Sequence, residues 1–306
     1  MIAPLVGSSK SMLELREYIG KVGRSEASVL ITGPTGSGKE RVAESIHSSS
    51  PRRDRAFLCV NCAAIPDSLL ESELFGYERG AFTGAQEGCP GMLRVASGGT
   101  VFLDEIGEMS LGAQAKILRV LENREVFPLG ARRMVSIDVR FIAATNQDLE
   151  PLIAENRFRQ DLFYRLNVAR LSLPSLKEHK EDIPELFAHY VNDFNRRYGG
   201  TVGQPTQELL EQLLTYEWPG NVRELRNLVE AIFIDPPDGP VSLESLPDSF
   251  KRIFSRTVVA SIGERERLVS ALYRTNWNKS QAASQLNWSR MTLYRKISKY
   301  QITDPK

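Results

Sequence analysis

Cysteine, histidine, long apolar runs and an excess of either charge sign are all scarce in this chain, and each scarcity narrows what it can do. Three cysteines, Cys59, Cys62 and Cys89, and three histidines occur among 306 residues. Cys59 and Cys62 form a C-x-x-C, but no second pair and no histidine at zinc-ligand spacing accompanies them, so ordinary buried thiols are expected rather than a metal or redox centre. No apolar stretch approaches the length that crosses a bilayer, and the start Met1 to Gly7 lacks the charged-then-apolar order of a signal peptide. A cytoplasmic protein with no membrane partner is expected. The net charge of +1, with a quarter of the residues charged, gives no global attraction for a polyanion, so any basic site must be local. The length allows two or three domains, each with its own core.

What is present begins with Gly33, Pro34, Thr35, Gly36, Ser37, Gly38 and Lys39, between the apolar run Ser28 to Thr32 and a helical pattern from Glu40. This is the G-x-x-x-x-G-K phosphate loop in its strand-to-helix setting. Its glycines permit a tight turn of exposed N–H groups, and the helix start adds a positive dipole end. Lys39 is placed to reach terminal phosphates. Glu40 stands where Ser or Thr would normally hold magnesium, so the metal needs another holder. That holder is expected at the end of the apolar strand Thr100 to Leu103, where Asp104 can bind magnesium and Glu105 can polarise the attacking water. A second apolar strand, Ser136 to Ala143, runs into Thr145 and Asn146. If the strands are parallel, Asn146 lies at the same sheet edge and can reach the terminal phosphate or its water.

Between these strands lies a second glycine-rich stretch, Gly80, Ala81, Phe82, Thr83, Gly84 and Ala85, with no lysine in the phosphate position. Composition leaves two readings open: a turn whose Phe82 tucks into the core, or an exposed loop presenting one aromatic to a partner. Arg159 and Arg165 lie six apart in a helical pattern. Spacing alone allows them to be surface charges paired with Asp161 and Glu155. Beyond Pro174, helical patterns over 183–198, 206–216 and 222–233 predict a small helical domain.

From Glu264 to Lys306 nine basic residues face three acids, making this the local basic region. Lys279 to Leu286, with Ala282 and Ala283, and Arg290 to Tyr300, capped by Ser289, predict a helix-turn-helix, with Asn287 in the turn where Gly is common. Leu293, Ile297 and Tyr300 form its inward face. Arg290, Thr292, Arg295, Lys296 and Lys299 are left outward, with Lys279 on the preceding helix, suiting the major groove and phosphates of double-stranded DNA.

Taken together these motifs resemble one family, the bacterial sigma-54-dependent transcription activators, NtrC-like members of the AAA+ ATPases. Gly80 to Ala85 spells the family's GAFTGA loop, and the resemblance implies that this loop, Phe82 included, contacts sigma-54. It further implies that Glu40 is the family's own residue after the Walker A lysine, that Asp104 and Glu105 form Walker B, and that Asn61 holds the catalytic glutamate at rest. Thr145 and Asn146 resemble sensor I, Arg159 and Arg165 the arginine fingers, Arg223 in Trp218 to Leu225 the phosphate-binding sensor II, and the C-terminal helices a Fis-type domain. ATP, Mg²⁺, sigma-54 RNA polymerase, an upstream DNA site and a hexameric homo-oligomer in the bacterial cytoplasm are the implied cofactors, partners and setting.

The expected fold class is α/β. A three-layer AAA+ P-loop domain with a parallel sheet spans 1–172, an α-helical lid 173–236, a linker 237–262 and an all-α helix-turn-helix domain 263–306. Pro174 to His179 departs from the family's Pro-Pro-Leu-Arg-Glu-Arg, so altered lid contacts are expected; family members usually begin with a receiver or sensory domain, whereas the ATPase motifs here begin within the first few residues, which leaves open a natural short member or a piece of a longer protein. Two other classes make different demands on the sequence. A DNA-bound repressor with weak or no ATPase activity would carry a damaged GAFTGA loop or Walker B, and a small-molecule kinase would have no DNA-binding domain.

Overall fold

A computed structural model describes residues 5–261, 264–275, 277–286, 288–300 and 302. Met1 to Pro4, Asn287 and Lys306, on which some of the expectations fall, lie outside the described residues. The chain forms two compact units, Met1–Tyr198 with Glu217–Glu230, and Gly199–Tyr216 with Ala231–Lys306.

The first unit is built on five parallel strands, β1 (Val29–Thr32), β2 (Phe57–Asn61), β3 (Thr100–Asp104), β6 (Arg140–Thr145) and β7 (Ala169–Ser172), in the order β2-β3-β6-β1-β7. β4 (Glu125–Val126) and β5 (Val135–Ser136) form a separate antiparallel ribbon. The inner strands are buried on both faces, which is why β1, β3 and β6 read as continuous apolar runs. Successive residues point to opposite sides of the sheet. Leu30, Val101, Leu103 and Ala143 pack with Ile117, Leu121 and Leu162 on one side, while Val29, Ile31, Phe102 and Ile142 pack with Leu15, Val42 and Ile46 on the other. These layers are the three-layer α/β arrangement that the sequence predicted.

Three local differences have physical causes. β2 is an edge strand, so Cys59, expected to be buried, is exposed, whereas Cys62 is buried and its thiol is pushed up to about 12 by that burial. The strand expected over 136–143 divides into β5, which turns back on β4, and β6, which enters the main sheet. β7 went unread because it is short and, as the other edge, only alternately buried; it pairs with β1 along its whole length.

The helix over Ile183–Tyr198 has the expected bounds and groups with the α/β unit. In the second unit, Gln207–Thr215 is capped by Thr206. The helix Asp248–Ser261 occupies half of the stretch read as a linker. The helices Glu264–Arg274, Lys279–Gln285 and Arg290–Lys299 close around Leu268, Leu272, Ala282, Ala283 and Leu293, with the two alanines allowing close approach. Asn278 and Ser289 cap the last two helices through their side chains.

Candidate functional site

Because β1, β3 and β6 are parallel and in register, Thr32 lies beside Thr145, and Asp104 ends the adjacent strand at the same edge. The phosphate loop leaves β1 here and enters the helix Lys39–Ser48 through Gly38, whose φ of +99° suits glycine. Gly36 is also left-handed, and a Cβ there would run into the Gly220 carbonyl. Lys39, only 6% exposed, donates to the Gly33 carbonyl at 3.1 Å and lies 3.5 Å from Glu105 Oε1.

Glu105 takes a φ of +53°, a backbone region uncommon for residues with a Cβ. There its Oε2 accepts the Asn146 backbone N–H at 3.1 Å, and the Asn146 side-chain Nδ2 donates to Thr35 Oγ1 at 2.8 Å. Residues from the loop and from two strand ends thus converge. Burial pushes the Asp104 carboxyl above the ordinary carboxylate range, the Glu105 charge adds to this, and Lys39 opposes it. Asn61, paired in register with Asp104, spends its Oδ1 on the backbone N–H groups of Ala63 and Ala64 at 2.9 and 3.1 Å. In this conformation Glu105 is held by Lys39 and Asn146, not by Asn61.

The residues fit a triphosphate with a divalent cation. The Ser37 hydroxyl is buried in the loop with no hydrogen-bond partner, and the Asp104 carboxylate is confined by burial beside a second acid, where a cation relieves both.

The segment Trp218 to Leu225 closes over the same loop. The Arg223 backbone N–H donates to the Gly36 carbonyl at 3.2 Å, while its side chain is exposed. Asn221 escaped the sequence reading except as a helix start. It is buried, left-handed, and bridges two segments: its Nδ2 donates to the Thr35 carbonyl at 3.0 Å, and its Oδ1 accepts the Leu176 N–H at 2.8 Å. Only its position after Gly220 hinted at this. Asn221→Ala is expected to destabilise the unit by about 1–3 kcal/mol, the cost of leaving a buried polar group unpaired. Urea unfolding followed by tryptophan fluorescence measures this, and an unchanged midpoint refutes the bridge.

A buried carboxylate makes a second long-range clasp. Asp182 accepts the Ser8 and Ser9 N–H groups at 2.7 Å each, the Ser9 hydroxyl at 2.5 Å and meets His179 Nδ1 at 3.0 Å. Burial pushes its carboxyl up, but the Ser9 and His179 hydrogen bonds outweigh this and hold it below the ordinary range. His179, the noted departure, is therefore an internal contact.

Arg159 caps the helix Gln160–Leu166 and forks onto Asp161 at 3.1 and 2.7 Å, as spacing allowed. Arg165 does not meet Glu155, which pairs with Arg157; it lines a cleft with Ser28 and Arg140, at the amino ends of β1 and β6. Arg159 is thus engaged with its own Asp161, and Arg165 lies at the sheet edge opposite the one from which the phosphate loop leaves β1.

Phe82 is 47% exposed, its ring edge-on to Tyr77 at 4.9 Å, so it is not a core residue. The loop is pinned at its base by Gly80 N–H to the Ala85 carbonyl, and Ala81 lies against Gly130 of the neighbouring turn. In the second unit Arg290, Arg295 and Lys299 are exposed on the final helix, Thr292 and Lys296 half-buried, and Lys279 reaches the face of Tyr294.

Residues 5–172 match the family described as Sigma-54 interaction domain, 177–259 an AAA+ ATPase lid domain and 263–300 the Fis family of bacterial regulatory proteins. The chain is 43% identical over 302 residues to the transcriptional regulatory protein ZraR of Escherichia coli K12, covering 96% of this chain and 68% of that one. It is 41% identical over 307 residues to the nitrogen fixation protein AnfA of Azotobacter vinelandii, covering 98% and 58%. Among solved structures, NtrX of Brucella abortus in complex with ATP superposes with a TM-score of 0.76 at 35% identity, covering 98% of this chain and 70% of that one.

Proposed function

The chain belongs to the Sigma-54 interaction domain family and its α/β unit is an AAA+ ATPase; from this we propose that it is a transcription activator that hydrolyses ATP to remodel the sigma-54 RNA polymerase closed complex. The observation that carries the reading is the meeting of Lys39, Glu105 and Asn146 around a loop whose Ser37 hydroxyl is unpartnered, in a chain that also displays Phe82. Gly33 to Lys39 cradle the phosphates through backbone N–H groups, and Lys39 and Arg223 draw on their charge. Asp104 would hold Mg²⁺, with Glu40 adding negative charge nearby, and the ion would supply charge neutralisation for the phosphates. Glu105 takes the proton of the attacking water, oriented by Asn146, and Asn61 is the alternative holder of Glu105. Arg159 and Arg165 complete the site of a neighbouring copy in a hexameric ring. Ser289, Arg290, Thr292, Arg295, Lys296, Lys299 and Lys279 carry the enhancer contacts.

We place the ATPase domain at 1–172, the lid at 173–236, the linker at 237–262 and the DNA-binding domain at 263–306. Among the described residues no helix is long and apolar enough to cross a membrane.

The deciding experiment is open-complex formation at a sigma-54 promoter. ATP is expected to support it and a non-hydrolysable analogue to fail; equal yields would refute a hydrolysis-driven activator and favour a DNA-bound repressor.

Phe82→Ala isolates the contact loop. The bonds that shape Gly80 to Ala85 are backbone to backbone, so they survive loss of the ring. ATPase activity is expected to persist while sigma-54 affinity falls about 30-fold, as for a central aromatic anchor. Undiminished binding in a pull-down with labelled sigma-54 would rule out this role.

A further inference from the structure

The final helix carries two exposed apolar side chains that phosphate binding does not explain. Leu293 is buried, and Ile297 and Tyr300 pack on the same small core, which fixes the inward side. At 100° per residue Met291 lies nearly opposite that side, and it is 79% exposed. Tyr294 follows one turn later on the same flank, 50% exposed, so the two side chains adjoin. The tyrosine ring is braced from the preceding helix by Lys279, whose Nζ lies 5.2 Å from its centroid.

Single exposed apolar residues need no explanation. This pair is distinguished by its frame: the helix Arg290–Lys299 contains four cations and no acid, with Arg290 beside Met291 and Arg295 beside Tyr294. An apolar spot rimmed by cations complements a surface offering small apolar groups within a polyanion. The thymine C5-methyl groups of the DNA major groove are such groups, and the N-terminal half of a recognition helix is the part that meets base edges.

We propose that Met291, with Tyr294 beside it, reads thymine methyl groups, making them specificity-determining residues among neighbours that position the helix on phosphates. The inference rests on the DNA-binding assignment above. Burial of one methyl-sized group is worth about 0.8 kcal/mol, or about four-fold in affinity.

The test uses the full chain and duplexes selected from a random pool. Each thymine of the enriched site is replaced singly by deoxyuridine, which lacks only the methyl. One or two replacements are expected to weaken binding about four-fold each for the unaltered chain and not at all for Met291→Ala. Met291→Leu, which keeps an apolar side chain, is expected to retain the discrimination and controls for folding. Enriched duplexes that tolerate every deoxyuridine, or lose as much affinity with Met291→Ala as with the unaltered chain, overturn the methyl reading alone. Failure to enrich any duplex, with affinity set only by salt, overturns the DNA-reading assignment and this inference with it.

Discussion

Glu105→Gln is expected to bind ATP as well as the unaltered chain while turnover falls about 10²- to 10⁴-fold, the usual contribution of a positioned general base. Glutamine preserves the size of the side chain, and its amide oxygen can still accept the Asn146 N–H that Glu105 Oε2 now accepts. The exchange removes the proton acceptor and the partner of Lys39, so the phosphates gain an uncompensated lysine. Retained affinity for a fluorescent ATP analogue, alongside lost phosphate release, is the expected pair of readings. Turnover within two-fold of the unaltered chain would eliminate Glu105 as the catalytic group.

Arg159→Ala and Arg165→Ala are each expected to lower turnover about 10³- to 10⁵-fold, the range of an arginine finger, without weakening nucleotide binding comparably. Arg159 is engaged with its own Asp161 and Arg165 lies at the sheet edge opposite the phosphate loop, so an effect of this size requires a second copy. Mixing is the sharper experiment. Neither Arg159→Ala nor Glu105→Gln turns over alone, but a mixed ring contains interfaces where an intact Glu105 faces an intact Arg159. Partial recovery of activity on mixing is expected. No recovery, with normal assembly by light scattering, would confine Arg159 to its Asp161 pair and to a structural role. Specific activity that stays constant on dilution to monomer would refute both fingers.

Short-range signals account for most of what the sequence disclosed. The phosphate loop and the Asp104–Glu105 strand end are each written within a dozen residues, and the final helix pair within the single stretch Lys279 to Lys299. Their chemistry follows from local turn and helix rules, and parallel register then brings Asn146 to the same edge. What stayed hidden depends on pairs far apart in the chain. Asn221 meets Thr35, and Asp182 meets Ser8 and Ser9, across more than 170 residues, and no local pattern marks either side chain. Cys59 is exposed against expectation because a strand's apolar composition does not say whether it lies inside the sheet or at its edge. Composition left Phe82 between a core turn and an exposed loop; its 47% exposure removes the core reading, while its contact role remains the proposal drawn from the resemblance of Gly80 to Ala85 to the GAFTGA loop.

The 3.5 Å approach of Lys39 to Glu105 imposes an order on events. One ammonium group cannot serve two anions equally, and an arriving phosphate competes with the carboxylate for it. Until then the carboxylate stays paired with the ammonium, which holds its Oε1. On the proposed roles the site is self-timed: the lysine that receives the phosphate must first let go of the carboxylate that activates water.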